Sequence, residues 1–233
     1  MQLRTRFFLA AAALLAVSLC SRPAFAADDL TSVLSKLDAA SARFHTTAAD
    51  FEFDAEQTDP VPDTDVQKGT VYYQRTGASF QMGVHVATDN GQPSPKVIVC
   101  CAQGAIRLFE KLPNQVTILS KLSQYESWFM LGFGASGREL QEKWDIKYDG
   151  PETVDGVKTA KLELVPKDPT VKKNLPKVIL WMDTDRAVSL KQYFDEGSGQ
   201  SRTCHYTNIR MNQALPGDAF TFKTDSKTTF VHR

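Results

Sequence analysis

The sequence predicts an α+β fold: a curled antiparallel sheet of roughly ten or eleven strands with two or three helices on one side. Apolar residues recur at a two-residue period in many short runs, and the connections between those runs are turns too short for a parallel crossover. One block, Trp128-Phe129-Met130-Leu131-Gly132-Phe133 followed by Gly134-Ala135-Ser136-Gly137, breaks the alternation. It is shorter than the roughly 20 apolar residues that span a bilayer, so it must be covered or must cover something.

The chain begins with the order of a secretory leader. Arg4 and Arg6 precede an apolar stretch from Phe7 to Leu19, and Ala24-Phe25-Ala26 supplies a small-x-small site, so cleavage is expected after Ala26. Cys20 raises a lipid-anchored alternative, but Leu19 stands where such a leader carries a small residue. Residues 27–233 contain no stretch that reads as a linker of useful length, which predicts a single domain.

Leu30, Val33, Leu34, Leu37, Ala40 and Phe44 share one helical face, with Asp28 and Asp29 placed to cap its start. The period then changes to two. Phe51, Phe53 and Ala55 alternate with acids, and Pro60, Pro62 and Asp63 mark a loop. Val71, Tyr73 and Arg75 alternate with Thr70, Tyr72 and Gln74; Phe80, Met82, Val84 and Val86 alternate with Gln81, Gly83 and His85. Val97 to Cys101 and Ile106 to Phe109 flank Gln103-Gly104, and Gln115 to Leu119 follows Pro113-Asn114, which is hairpin punctuation. After the apolar block, Ser136 to Lys143 holds helix-forming residues. Strands resume at Asp145 to Tyr148, Thr159 to Val165, Lys177 to Asp183, Val188 to Phe194, Arg202 to Arg210 and Phe220 to Lys223, separated by turns rich in Asp and Gly.

Composition excludes several functions. Without Arg4, Arg6 and Arg22 of the leader, the 27 basic side chains fall to 24 against 27 acidic ones, a net charge of −3 that gives no reason to expect nucleic acid as a partner. His45, His85, His205 and His232 have no metal-ligand spacing, so no metal or other cofactor is expected. No Ser stands in a Gly-x-Ser-x-Gly turn, and Gly132 to Gly137 is followed by Arg138 and Glu139 rather than the Lys-Ser/Thr of a phosphate loop. The pairs Asp183/Asp185 and Asp54/Glu56 read as a turn and a solvated strand face. The chain is therefore not expected to be an enzyme. The expected mature cysteines are Cys100, Cys101 and Cys204, an odd number that leaves open a single bridge to Cys204 or three small buried side chains. Arg75 is in phase with Val71 and Tyr73: it either points inward, where its charge needs partners, or ends its strand and snorkels into water.

The order and motifs of the chain resemble the LolA family of periplasmic lipoprotein carriers. Leu30 to Phe53 is similar to that family's first helix leading into the first strand, and Gly69-Thr70-Val71-Tyr72-Tyr73-Gln74-Arg75 to its Gly-x-aliphatic-x-aliphatic/aromatic-Lys-Arg-Pro-x-x-Phe motif, with Phe80 near the motif's Phe. Val97 to Gly104 resembles its Ile-x-Val-Ser-Asp-Gly strand and turn, and Asn114-Gln115-Val116 the close of the next hairpin. Trp128-Phe129-Met130-Leu131 resembles its Pro-Phe-Met-Leu helix, Trp144-Asp145-Ile146-Lys147 the tail that follows, Leu164-Val165-Pro166-Lys167 its Leu-x-Pro-Lys strand end, and Ala219-Phe220-Thr221-Phe222 its Lys-Phe-x-Phe strand.

The resemblance implies an unclosed antiparallel β-barrel of about 11 strands with a helical lid over an apolar cavity. It implies a monomer that takes lipoprotein acyl chains from an inner-membrane lipoprotein-releasing ABC transporter and passes them to an outer-membrane acceptor. Lid and cavity would comprise Leu34, Leu37, Phe51, Phe53, Val71, Tyr73, Met82, Val99, Trp128, Phe129, Met130, Leu131, Phe133, Leu162, Leu164, Leu180, Phe194 and Phe222. Arg75 would be the lid latch, bonding lid backbone, and Gly132, Gly134 and Gly137 the hinge. Gln74-Arg75-Thr76 departs from Lys-Arg-Pro, and Cys100-Cys101-Ala102 from the turn motif. The same fold also serves the anchored receptor LolB and membrane-stress sensors of the RseB type, so a sensor that binds acyl chains and signals through a membrane regulator is the alternative function.

Overall fold

A computed structural model describes residues 29–77, 79–100, 105–120 and 131–233. Helix α1 (Leu30–Ser41) starts where the Asp29 carboxylate accepts the Ser32 N–H at 2.7 Å, and it buries Val33, Leu34, Leu37 and Ala40 on one side. Twelve strands follow: β1 (Thr46–Gln57), β2 (Asp63–Thr76), β3 (Ser79–Asp89), β4 (Gln92–Cys100), β5 (Ala105–Glu110), β6 (Gln115–Ser120), β7 (Trp144–Val154), β8 (Val157–Pro166), β9 (Lys177–Asp183), β10 (Val188–Gly197), β11 (Gln200–Met211) and β12 (Thr229–His232). Helix α2 (Gly137–Lys143) precedes β7, and the short α3 (Pro169–Asn174) joins β8 to β9.

All twelve strands form one unclosed sheet in the order β12-β6-β5-β4-β3-β2-β1-β11-β10-β9-β8-β7. Among the described residues every pairing is antiparallel except β12 with β6, which is parallel. Register shifts at Ala48/Asp50, Lys68/Gly69, Val86/Thr88 and Ser189/Lys191 insert extra residues and bend the strands. The apolar inner face carries two clusters. Leu162, Leu164, Val178, Leu180 and Met182 of β8 and β9 pack against α1 and α2, whereas Phe51, Val71, Tyr73, Phe80, Met82, Val86, Cys204 and Tyr206 line the part built from β1, β2, β3 and β11.

The outer face has its own cover. Gly83 alternates with the inward Met82, and a Cβ there would collide with the Ala219 carbonyl, so only glycine admits the segment that follows β11. Phe222 of that segment stacks on Phe109 with ring centroids 5.1 Å apart, and Arg107 lies 5.9 Å from the same ring. The chain then reaches β12 and completes the edge beside β6. This corrects the expectation of a strand at Phe220 to Lys223: those residues form no ladder, because the apolar outer face needs a strap there rather than another paired strand. Cys204 is a free buried thiol and Cys100 is disulfide-bonded, which corrects both expected alternatives, a bridge to Cys204 and three small buried side chains.

Candidate functional site

Residues 131–135 run inside the curl and join the two apolar clusters. Leu131 and Ala135 pack with the α1 side, whereas Phe133, between them, is fully buried on the β1–β3 side. Its ring stacks on Tyr73 at 4.0 Å and meets Tyr206 edge-on at 4.8 Å. Burying a Phe contributes about 1.5–3 kcal/mol, and each well-oriented ring pair about 0.5–1.5 kcal/mol more. This segment is a plug that fills the apolar interior of the curl.

Four hydrogen bonds among the described residues hold the plug. The Ser189 N–H donates to the Gly132 carbonyl (2.6 Å), the Gly134 N–H to Ala187 (2.8 Å), the Gln192 side-chain amide to Leu131 (2.7 Å), and the Ser41 hydroxyl to the Gly134 carbonyl (2.7 Å). Gly132 and Gly134 sit at φ +81° and +68°, where a side chain is strained. A Cβ at Gly132 would collide with Gln192, one at Gly134 would lie 2.5 Å from the Phe44 ring, and one at Gly137 2.5 Å from the Leu34 carbonyl. These three glycines are thus required for close approach, independently of any hinge motion.

Arg75 points inward, at the end of β2 where the helices meet. Its Nη1 donates to the Ser41 hydroxyl at 3.3 Å, and its Nη2 reaches both oxygens of Glu139 at 3.4 Å. Among the described residues the guanidinium therefore links β2 to the last residue of α1 and to α2 through side chains; Trp128, Phe129 and Met130 of the lid that the resemblance implied lie outside the described residues. Ser136 caps α2, its hydroxyl accepting the Glu139 N–H at 3.1 Å while the Glu139 carboxylate accepts the Ser136 N–H at 2.8 Å. Partial burial works to raise the Glu139 pKa, but the Ser136 N–H, the Arg75 charge and the Ser136 hydroxyl outweigh it, and the carboxyl ends below its ordinary value.

The other candidate residues divide by face. Leu34, Leu37, Phe51, Val71, Tyr73, Met82, Leu131, Phe133, Leu162, Leu164 and Leu180 are buried in the two inner clusters, with Phe194 and Phe53 packed against them. Val99 and Phe222 belong to the outer face instead: Val99 pairs with Gly83 beneath the strap, and Phe222 is part of the strap. Trp128, Phe129 and Met130 lie outside the described residues. Beside the plug opens a pocket of about 260 Å³ with Leu131, Ala135, Leu140 and Trp144 as apolar lining and Glu139, Glu142 and Lys143 around them.

Sequence reasoning missed Ser41 and Gln192. Gln192 is paired with Leu180 and Cys204, both inward, so an amide in phase with apolar neighbours was the available signal. Burial pushes the Cys204 thiol up to about 12, which leaves it protonated and inert. Among the described residues no three of His, Cys, Asp and Glu converge to hold a metal ion.

No protein-family model matches the chain. An uncharacterized protein of Methanocaldococcus jannaschii is 26% identical over 126 residues, 54% of this chain, and the match spans about a third (35%) of that protein's length. Among solved structures, an uncharacterized conserved protein from Thermus thermophilus overlays 87% of this chain and 98% of its own, with TM-score 0.54 and 10% identity. MucB overlays 87% of this chain and 65% of its own, with TM-score 0.51 and 14% identity. A LolA superfamily protein from Nitrosomonas europaea overlays 83% and 97%, with TM-score 0.40 and 16% identity. The fold shared with the Thermus protein and MucB is one unclosed, curled sheet with an apolar inner face and helices packed on it.

Proposed function

We propose that this protein is a periplasmic carrier that binds the acyl chains of lipoproteins or related lipids in its inner trough and delivers them toward the outer membrane. The reading rests on the plug. Residues 131–135 fill a continuous apolar interior with Leu131, Phe133 and Ala135, and are retained by that burial together with four hydrogen bonds. An acyl chain offers the same apolar burial, at about 25 cal/mol per Å², so it can replace the plug's apolar contacts, while the plug's hydrogen bonds favour the closed state. Binding and release then depend on a small difference between two apolar occupants, as a carrier requires. The pocket beside Leu131 and Trp144 is the proposed point of entry, and Arg75 the proposed latch that favours the plugged state. By the resemblance, an ABC transporter would load the trough and an outer-membrane acceptor would empty it.

The test uses the purified mature protein and a fluorescent fatty-acyl probe. Saturable binding, competed by lipoprotein extracted from membranes, is the expected result. Mass spectrometry of lipids and lipoproteins that copurify from the native periplasm identifies the cargo. Failure of any acyl probe to bind, with intrinsic tryptophan emission unmoved, refutes the carrier reading.

A further inference from the structure

We infer that Gln192 and Tyr206 form a carbonyl-recognition site inside the trough, selecting acyl chains joined through an ester or amide over plain hydrocarbon. The inference rests on the carrier reading and specifies its ligand chemistry. Gln192 is 3% exposed and Tyr206 7%, in an otherwise apolar interior. Register pairs Gln192 with Leu180 on one side and Cys204 on the other, which places the amide where the two apolar clusters meet.

The pair is pre-aimed. The Tyr206 hydroxyl donates to Gln192 Oε1 at 3.2 Å, which fixes the amide so that Nε2 faces the plug and donates to the Leu131 carbonyl at 2.7 Å. Glycine at 132 is the residue that lets the amide come so close. When the plug leaves, the Leu131 carbonyl leaves with it, and a buried N–H donor remains. An unmade hydrogen bond in an apolar site is costly, and a hydrocarbon tail has no acceptor to offer. The carbonyl of an acyl ester or amide has one, and can occupy the position that Leu131 vacates while its chain fills the space of Phe133. The same amide therefore holds the empty state shut and reads the ligand, which makes exchange of one carbonyl for another the recognition step.

Three probes of equal chain length test this: a fatty acid methyl ester, an N-methyl fatty amide and an alkyl methyl ether, each displacing a fluorescent acyl probe. The wild type is expected to bind the ester and the amide about tenfold more tightly than the ether. In Gln192→Met, which keeps the volume and removes the donor, the ratio should fall to about one, chiefly through tighter ether binding. Tyr206→Phe frees the amide to rotate and should reduce the ratio severalfold, providing a second readout if Gln192→Met folds poorly. A ratio, unlike an absolute affinity, is insensitive to any change in plug stability. Equal binding of ester, amide and ether by the wild type overturns the inference and leaves the carrier reading intact. An unchanged preference in Gln192→Met overturns it as well. Absence of binding by all three refutes the carrier reading itself, and the inference with it.

Discussion

Phe133→Ala separates a plug from an ordinary core residue. The wild-type ring is fully buried, stacked at 4.0 Å on Tyr73 and edge-on to Tyr206 at 4.8 Å. Truncation removes about 1.5–3 kcal/mol of burial and part of the aromatic pairing, and large-to-small changes of this kind cost about 3–5 kcal/mol in a well-packed core. Taking about 3 kcal/mol as lost from the plugged state, the melting temperature should fall by about 6–12 °C for a chain of this size. If the plug competes with ligand, the same loss appears as gained affinity, since each 1.4 kcal/mol is a factor of ten; the upper bound is about 100-fold. Fluorescence titration with an acyl probe measures the affinity, and calorimetry with and without the probe measures how far ligand restores stability. A variant that melts at the lower temperature but binds the probe no more tightly than wild type refutes the competition argument.

Three further outcomes follow from the latch and the core. Arg75→Leu leaves the Ser41 and Glu139 groups without their shared cation and should bind acyl probe a few-fold more tightly while transferring it more slowly to acceptor vesicles; wild-type transfer rates would count against the latch. The folded-state pKa of Glu139 is lowered, so its contribution is complete above the ordinary glutamate range and is lost as pH falls through the lowered value. Probe affinity should therefore rise on acidification in the wild type, and the rise should shrink in Glu139→Gln; identical profiles would remove Glu139 from the latch. Cys204, with its thiol pushed up to about 12 by burial, should resist iodoacetamide in the native protein and react after denaturation, as followed by peptide mass mapping.

The alternation of Val71, Tyr73 and Arg75 put Arg75 in phase with the inner face but left open whether its cation turned inward or snorkelled into water; the contact with Ser41 decides for the inward position. Its partners were not legible, since Ser41 and Glu139 come from helices whose placement depends on packing of the whole sheet. Gln192 stood out only as an amide in phase with apolar neighbours; its partner was hidden, because a backbone carbonyl leaves no mark on the side-chain pattern. Phe220 and Phe222 misled for a physical reason. A two-residue apolar period describes any extended segment pressed on one surface, and here the surface is the outer face around Gly83 and Phe109. The parallel β12 is only Thr229–His232, too short for periodicity to announce it. The glycines of the plug look like a flexible connector in sequence, and only the approach of Gln192, Phe44 and Leu34 reveals that they are also the positions where other atoms need the room.

The central position of β1 governs when the trough can come into being. Strand β1 has β2 on one edge and β11 on the other, and Asn208 donates to the Asp50 carboxylate at 2.8 Å across 158 residues of sequence. Such non-local pairing has to pay its loop-closure entropy before its contacts reward it, which slows folding. Until β11 is available, the sheet is two ribbons with free edges at β1 and β10, and each shows an apolar face with no opposite wall. A chain made from its amino end must extend into β11 (Gln200–Met211) before those edges can meet. The sheet is stapled through its middle, by one of the last strands made against the first.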